Sequence, residues 1–246
     1  MAVYRTTSAR PVAYGYTVGM LCAEWNVPFV PGDLNNASTF DFPVRYLAVD
    51  GAAGADVLTG DADAYGELFV AAAKQLEAEG VHAITGNCGY MAAYQDVVAA
   101  AVDVPVFMSS LLQAPMLLRM LGPDRRLAVL VANGGGITEG VLRGAGITDP
   151  SRLLIQGLDH KPHFNEVILQ EVGTLDEELF RREVVEVAVE AAEAAPDLGA
   201  ILLECSDLPA YARSVSEATG LPVFDWAGFI RYVHDAITPH SYRGTY

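Results

Sequence analysis

Residues 85–90 read Thr-Gly-Asn-Cys-Gly-Tyr, and the fold can be inferred outward from this stretch. It follows the apolar run 81–84 and precedes the helix-prone run 91–101. A cysteine between a strand and a helix lies where backbone N–H groups gather, and the positive end of the helix dipole favours its thiolate. A lone cysteine is more often a small buried apolar residue, so the stretch alone is weak evidence for a site.

The same arrangement occurs a second time. Residues 201–207 read Ile-Leu-Leu-Glu-Cys-Ser-Asp, and another helix-prone run, 209–219, follows them. Cys205 lies 117 positions after Cys88, and the same offset carries Pro-Val-Phe at 105–107 onto Pro-Val-Phe at 222–224. An ungapped match of this kind indicates an internal duplication. The sequence therefore predicts two similar α/β halves, each presenting one cysteine at the carboxyl end of a strand, where ligands of open parallel sheets bind.

The composition is that of a globular protein. The chain has 246 residues, of which 52% are hydrophobic, enough for a sizeable core. No apolar run reaches the roughly 18–20 residues that span a bilayer, and residues 1–10 have no apolar stretch behind them, so no signal peptide is expected. Three irregularly spaced cysteines favour reduced thiols and a cytoplasmic location over a disulfide framework. His160 and His163 lack partners at a zinc-like spacing, so no metal site is predicted.

The formal net charge is −16, from 31 acidic and 15 basic residues. Such a surface argues against a nucleic acid or an anionic membrane as partner, because neither could release counterions from it. A small anionic substrate stays possible, since backbone N–H groups can hold a carboxylate locally.

The start of the chain predicts a first strand at 11–16 that turns at 17–19. Thr17 is then a candidate ligand contact, because the first βα turn of a doubly wound sheet lines the crevice. The turn has no Gly-x-Gly-x-x-Gly, so a dinucleotide is not expected. Cys22 is placed in the following helix as a packing residue.

Two loops carry further candidate contacts. The stretch 28–38 contains two prolines and paired asparagines, which predicts a long structured loop in which Asp33 and Asn36 could reach a substrate. The glycine-rich turn after the strand 127–132 offers Asn133 and Thr138. For the first loop the alternative is that Asp and Asn only cap and turn the backbone, and for the second it is a glycine-rich turn that binds no ligand.

The remaining pattern predicts alternating strands and helices. Strands are expected at 42–49, 104–108 and 153–157, and helices at 63–80, 109–122, 176–195 and 227–237.

The motifs resemble the cofactor-independent aspartate/glutamate racemase superfamily, which includes hydantoin racemases, maleate isomerases and arylmalonate decarboxylases. The resemblance covers nearly the whole chain and rests on Thr-Gly-Asn-Cys-Gly at 85–89, Leu-Leu-Glu-Cys-Ser at 202–206 and the Pro-Gly-Asp loop at 31–33. It implies an α/β fold of two pseudo-symmetric flavodoxin-like domains, each with a parallel sheet flanked by helices, with the active site in the cleft between them. The first domain would comprise 1–115 with 222–246, and the second 116–221.

The resemblance also implies that Cys88 and Cys205 are an acid–base pair. Inverting a stereocentre needs a base on one face of the carbon and an acid on the other, and a thiol can serve as either. Four neighbouring residues are expected to bind the substrate carboxylate and its developing charge: Asn87, Gly89, Ser206 and Asp207. Glutamate racemases have a histidine where this chain has Asp207, which places glutamate in doubt as the substrate.

Three functions are therefore carried forward. The first is a racemase or epimerase that inverts the carbon next to a carboxylate or amide, as in an amino acid or a hydantoin. The second is a decarboxylase or cis–trans isomerase of a small dicarboxylate, which uses one cysteine as nucleophile or proton donor. The third is a non-catalytic small-molecule binding protein. Assembly into a homo-oligomer is left open.

Overall fold

Two parallel sheets of four strands each organise the molecule. The computed structural model describes Val3 and residues 13–57 and 62–241. The strands are β1 Val18–Glu24, β2 Val44–Ala53, β3 Ala83–Gly86, β4 Val106–Phe107, β5 Arg126–Val131, β6 Leu153–Gly157, β7 Leu198–Leu203 and β8 Val223–Phe224. The first sheet has the order β2-β1-β3-β4 and the second has β6-β5-β7-β8. The same strand order in both halves confirms the predicted duplication and the flavodoxin-like α/β class.

Helices connect and flank these strands. The α-helices are α1 Gly54–Val57, α2 Ala62–Glu79, α3 Gln95–Ala99, α4 Ala114–Met120, α5 Glu139–Gly144, α6 Pro162–Phe164, α7 Glu177–Ala194, α8 Ala212–Thr219 and α9 Trp226–Ile237. Short 3-10 helices cover Ala37–Thr39, Gly89–Tyr94, Ser110–Gln113, Gly134–Gly136 and Leu208–Tyr211, and a π-helix covers Asn165–Leu169. No helix within the described residues is both long enough and apolar enough to cross a membrane.

The cores follow from the sequence pattern. β5 and β7 are almost continuously apolar and buried, as expected of strands covered by helices on both faces. One large buried cluster runs through both halves, from Leu21 and Phe69 to Val129 and Leu203. A smaller cluster lies on the other face of the first sheet, where Trp226 of α9 packs. The Trp226 indole N–H also donates to Thr85 Oγ1 at 3.2 Å, which fixes α9 beside β3.

The expected position of the first strand was wrong. β1 runs over Val18–Glu24, and no strand includes residues 13–17, while 11 and 12 lie outside the described residues. The pairings Val18 with Ala83 and Leu127 with Ala200 show why. The offset of 117 relates β3 to β7, but β1 and β5 are only 109 positions apart, so the first strands of the two halves do not follow the offset of the cysteines.

This shift displaces two predicted positions. Thr17 lies at the amino end of β1, where its carbonyl accepts hydrogen bonds from the backbone N–H groups of His82 and Ala83. That end of the sheet is opposite to the cysteines, and Thr17 does not line their pocket. Cys22 lies within β1 rather than in a helix, and burial raises the pKa of its thiol to about 12, as fits a packing residue.

Near its carboxyl end the chain passes from the second sheet back to the first. β8 pairs with β7 in the second sheet. α9 then returns to the first sheet, as its packing on β3 requires. The helix expected at 91–101 begins as a 3-10 helix at Gly89 and becomes α-helical only from Gln95.

Candidate active site

The two cysteines lie at one pocket, between the carboxyl ends of the two sheets. Cys88 follows β3 and Cys205 follows β7, each two residues after the last residue of its strand. The pocket has an empty volume of about 370 Å³, counted out to solvent at its mouth. It is lined by Trp25, Val27, Phe29, Asn87, Cys88, Gly89, Tyr90, Ala132, Ile168, Glu204, Cys205, Ser206 and Asp207.

The Cys88 thiol lies at the start of the 3-10 helix Gly89–Tyr94. The backbone N–H groups of Tyr90 and Met91 face its sulfur and lower its pKa. Burial raises the pKa by more, and the charge of Glu204 raises it further, so the pKa of Cys88 is well above its usual value. The backbone N–H groups at the helix start therefore favour the thiolate, as expected, but desolvation outweighs them.

The Cys205 thiol has a proton acceptor. Its Sγ donates a hydrogen bond of 3.1 Å to Asp207 Oδ2, and the Ser206 hydroxyl donates to the same oxygen at 3.4 Å. Burial, followed by the charges of Asp207 and Glu204, raises the pKa of Cys205 well above its usual value. Within the described residues no side chain accepts a hydrogen bond from Cys88. The two thiols are therefore equivalent in the fold but different in their partners.

Asp33 lies behind Asp207. It is 1% exposed, and its Oδ1 accepts a hydrogen bond of 2.7 Å from the Asn35 backbone N–H. Burial, then the charge of Asp207 and a hydrogen bond shared with it, raises the pKa of Asp33 well above its usual range. Burial and the neighbouring carboxyl group favour the protonated form of Asp33, which can donate the hydrogen bond that it shares with Asp207.

The loop that carries Asp33 is hydrogen-bonded to the second half of the chain. The Leu34 N–H donates to the Ser206 carbonyl at 3.2 Å. Gly32 has a φ of +105°, and a side chain there would overlap the backbone of Ala210. The close approach therefore requires glycine, and the predicted structured loop is confirmed as part of the cleft wall.

Glu204 is a site residue that the sequence analysis missed. Its side chain is fully buried, and neither carboxylate oxygen has a hydrogen-bond partner. Burial, and to a lesser extent the charge of Asp207, raises its pKa from 4.5 to about 8. A Cβ built on Gly89 would overlap its carboxyl group, so Glu204 occupies the space that the missing side chain leaves. The available signal was an acidic residue inside the otherwise apolar run 198–205.

An aromatic wall was missed as well. Trp25 and Phe29 lie in the loop after β1, and Tyr90 is the second residue after Cys88. The Tyr90 hydroxyl donates to the Asn133 carbonyl and accepts from the Asn133 N–H, each at 2.7 Å, which joins the halves beside the pocket. Placing β1 too early hid the role of Trp25, because the loop that carries Trp25 and Phe29, here called the crevice loop, begins only after β1 ends at Glu24.

The structure brings Asn87, Gly89, Ser206 and Asp207 together with both cysteines, as predicted. The Asn87 amide is largely committed, since its Oδ1 accepts from the Ala23 N–H at 2.9 Å and its Nδ2 donates to the Ala23 carbonyl at 3.1 Å. Asn87 therefore positions the crevice loop.

Three other predicted contacts do not line the pocket. Asn36, Asn133 and Thr138 each cap a short helix, with the side-chain oxygen accepting from the N–H of Ser38, Gly135 and Val141, respectively. These side chains therefore act as helix caps in this structure. His163 accepts a hydrogen bond from the Asp176 N–H and likewise lies outside the pocket lining.

The pocket lining contains acidic side chains but no basic ones. Its acids are Glu204 and Asp207, and it includes no lysine, arginine or histidine. Among the residues described, no group of three or more His, Cys, Asp or Glu side chains could hold a metal ion. The arrangement can therefore move a proton at a thiol and accommodate positive charge on a ligand.

Sequence comparison places the chain among enzymes that share one name. No protein-family model matches the chain. It is 32% identical over 217 residues to dimethylsulfoniopropionate lyase 7 of Emiliania huxleyi, a match that covers 85% of this chain and 63% of that protein. It is 31% identical over 221 residues to the dimethylsulfoniopropionate lyase of Durusdinium sp. clade D, covering 85% and 71% of the two chains. The chain spans between 56% and 63% of the length of the first Emiliania relatives it matches.

Solved structures confirm the fold. A glycine-to-cysteine mutant of arylmalonate decarboxylase superposes with a TM-score of 0.60 at 22% identity, covering 94% of this chain and 97% of the other. Allantoin racemase from Pseudomonas fluorescens superposes with a TM-score of 0.63 at 16% identity, covering 90% of each chain. The resemblance to the aspartate/glutamate racemase superfamily is confirmed by these neighbours at the level of the fold.

Proposed function

Because the chain belongs to the family of the dimethylsulfoniopropionate lyases, we propose that it cleaves dimethylsulfoniopropionate into dimethyl sulfide and acrylate. These relatives are longer than this chain. The reaction is a β-elimination, which differs from the racemisation expected from the sequence but begins with the same step. In both reactions a base removes the proton from the carbon next to a carboxylate.

The proposed reaction balances without an oxidant or a reductant. The base takes the proton from the carbon next to the carboxylate, and the electrons of that C–H bond form the double bond of acrylate. The C–S bond breaks, and its electron pair leaves with sulfur as neutral dimethyl sulfide. One proton is released per zwitterionic substrate consumed. We propose that no cofactor is needed, because a base and a good leaving group suffice.

The observation that carries this proposal is that only one of the two pocket thiols has a carboxylate acceptor. Cys205 donates its proton towards Asp207, whereas Cys88 has no such partner among the described residues. An elimination needs one base, and racemisation by two thiols needs one on each face of the carbon. We assign the base to Cys205. Its thiol proton passes to Asp207 as the sulfur takes the substrate proton.

The pocket lining supports a substrate with a cationic end. Aromatic faces attract onium groups through their quadrupoles, and Trp25, Phe29 and Tyr90 offer three such side chains. Both charged side chains in the lining are acidic. We assign the carboxylate end to the backbone N–H groups that follow each cysteine, at Gly89 and Ser206, where negative charge builds up as the proton leaves.

The test is incubation of the purified protein with dimethylsulfoniopropionate, with dimethyl sulfide followed in the headspace by gas chromatography and acrylate by NMR. Equal amounts of both products are expected. A deuterium-exchange panel of amino acids, hydantoins and substituted malonates in D2O runs beside it. Deuterium incorporation with inversion in that panel, and no dimethyl sulfide, would contradict the proposal.

A racemase or epimerase remains the second candidate. It is favoured by Cys88, which the duplication places at the position equivalent to Cys205 in the other half. A two-thiol mechanism gives both cysteines a direct role, and the two candidates therefore differ in how strongly activity depends on Cys88.

A further inference from the structure

We propose that Glu204 is the counter-charge for the cationic head group of the ligand, a sulfonium or a quaternary ammonium, and that it gives up a proton as that cation binds. The inference rests on the proposed function, since it identifies where the charged end of the substrate is held. It identifies a residue that would determine specificity. It also predicts the release of a proton on ligand binding, which can be measured without turnover.

Glu204 lies at the pocket without the hydrogen-bond partners that a buried carboxyl group normally has. Its side chain is fully buried, both carboxylate oxygens lack a hydrogen-bond partner, and it lines the pocket. Buried polar groups are almost always satisfied, and an unsatisfied one weakens the fold. A partner supplied by a ligand explains why this group is kept beside the cleft.

Glu204 is also held in a defined place. Its carboxyl group fills the space beside Gly89 and crosses from the second half to the residue that follows Cys88. Its backbone N–H donates to the Leu130 carbonyl at 2.9 Å, which anchors the residue to β5. The acid is therefore positioned between the two cysteine segments rather than pointing freely into solvent.

The groups that face Glu204 make it ready to accept positive charge. Asp207 raises its pKa, and the charge of Glu204 in turn raises the pKa of Cys88, Cys205 and Tyr90. All of these neighbours are acidic or neutral, and none supplies a cation. A pKa raised to about 8 leaves the carboxyl mostly protonated at pH 7. A cation placed beside it favours the ionised form and so expels the proton.

This arrangement discriminates between ligands by charge. A neutral isostere gains the same contacts with Trp25 and Phe29 but gains nothing from Glu204. When the C–S bond breaks, the departing sulfide is neutral and Glu204 regains its proton, which releases the product.

The experiment is isothermal titration calorimetry with 3-(trimethylammonio)propanoate, which has the shape of the substrate but an amine as a far poorer leaving group. Titrations in two buffers of different ionisation enthalpy give the number of protons released. Near pH 7 the wild type is expected to release close to one proton per ligand bound. The release falls towards zero above about pH 8, where Glu204 is already ionised, and this series needs no variant.

Two matched controls isolate the charge. The ligand 4,4-dimethylpentanoate has a carbon in place of the nitrogen, and it should bind with no proton release. Glu204→Gln keeps the shape of the side chain, and it should weaken binding of the ammonium ligand at least about tenfold and abolish the proton release. Glu217→Gln, at an exposed acid of α8, should change neither.

Three results would overturn the inference: equal affinity of Glu204→Gln and the wild type for the ammonium ligand, no proton release by the wild type, or equal binding of both ligands by the wild type. Failure of the proposed reaction is a separate result. A protein that binds the ammonium ligand with proton release, yet forms no dimethyl sulfide, retains the onium site and loses only the lyase assignment.

Discussion

Cys205 and Asp207 form a thiol–carboxylate pair in which Sγ lies 3.1 Å from Oδ2. The residues are two positions apart on the turn that follows β7, so the local backbone fixes the contact. Cys88 occupies the equivalent position after β3, yet no described carboxylate accepts its proton. The duplicated fold has therefore produced two similar thiols of which one has a built-in route for its proton.

Replacing Asp207 by asparagine removes this route. We expect Asp207→Asn to lower kcat by about 100-fold or more, because an amide cannot take up the thiol proton and general-base assistance contributes roughly 10²–10⁴-fold. The measurement is the initial rate of dimethyl sulfide release, with circular dichroism to check the fold.

Asp33→Asn is the matched control for that variant. An asparagine at 33 can accept from the Asn35 N–H and donate to Asp207, as the protonated acid does. It should keep kcat within a few-fold of the wild type. A large loss of kcat in Asp33→Asn, or a small one in Asp207→Asn, would show that the proton moves differently from this account.

Gly89→Ala tests the contact between the two cysteine segments. The added methyl would overlap the Glu204 carboxyl group, so we expect a loss of about 1–3 kcal/mol in the free energy of unfolding, the usual cost of overpacking. Urea denaturation measures it. Gly134→Ala is the control, because the nearest atom to its new Cβ is 3.7 Å away.

A double variant gives the sharper test of the same contact. Glu204→Ala removes the three atoms nearest to the new methyl, so Gly89→Ala should cost much less in that background. Equal costs in the two backgrounds would mean that Gly89 is required for another reason.

The buried Glu204 should also make stability depend on pH. A folded-state pKa of about 8, above the ordinary 4.5, means that the folded chain holds the proton more tightly than the unfolded chain. The associated stability is present below about pH 4.5 and is lost as pH rises towards 8, by about 5 kcal/mol in all. Glu204→Gln has no carboxyl group to ionise at this position. The free energy of unfolding of the wild type should therefore fall, relative to that of Glu204→Gln, between about pH 5 and pH 8.

The comparison between variant and wild type is needed because Asp33 and Asp225 also have raised pKa values and add to the slope of the wild type. Glu217→Gln, which changes an exposed acid, should follow the wild type at every pH. Parallel curves for Glu204→Gln and the wild type would show that Glu204 ionises in the folded chain as easily as in the unfolded one.

The sequence predicted most of the fold and the centre of the site. The repeated strand–cysteine–helix unit gave the two halves, and Cys88, Cys205, Asp207 and Gly89 do meet at the pocket. These residues are close to the duplicated strands, so their placement needs only local pattern and strand order.

The rest depends on contacts between distant segments. The spacing between β1 and β5 is eight residues shorter than that between β3 and β7, and β1, with the crevice loop that carries Trp25, lies later than predicted. Asn36, Asn133 and Thr138 had two roles that the sequence could not separate, since a cap and a ligand contact need the same side-chain oxygen. The pairing of Glu204 with Gly89 across the halves leaves no trace in either local pattern.

The most direct test of the central claim is the rate of dimethyl sulfide release by Cys205→Ser and Cys88→Ser, measured beside the wild type at equal protein concentration. If Cys205 is the base that takes the substrate proton, Cys205→Ser should lose at least about 100-fold in kcat, and Cys88→Ser should keep a readily measurable fraction. Equal and complete loss in both variants, or full activity of Cys205→Ser, would contradict the account.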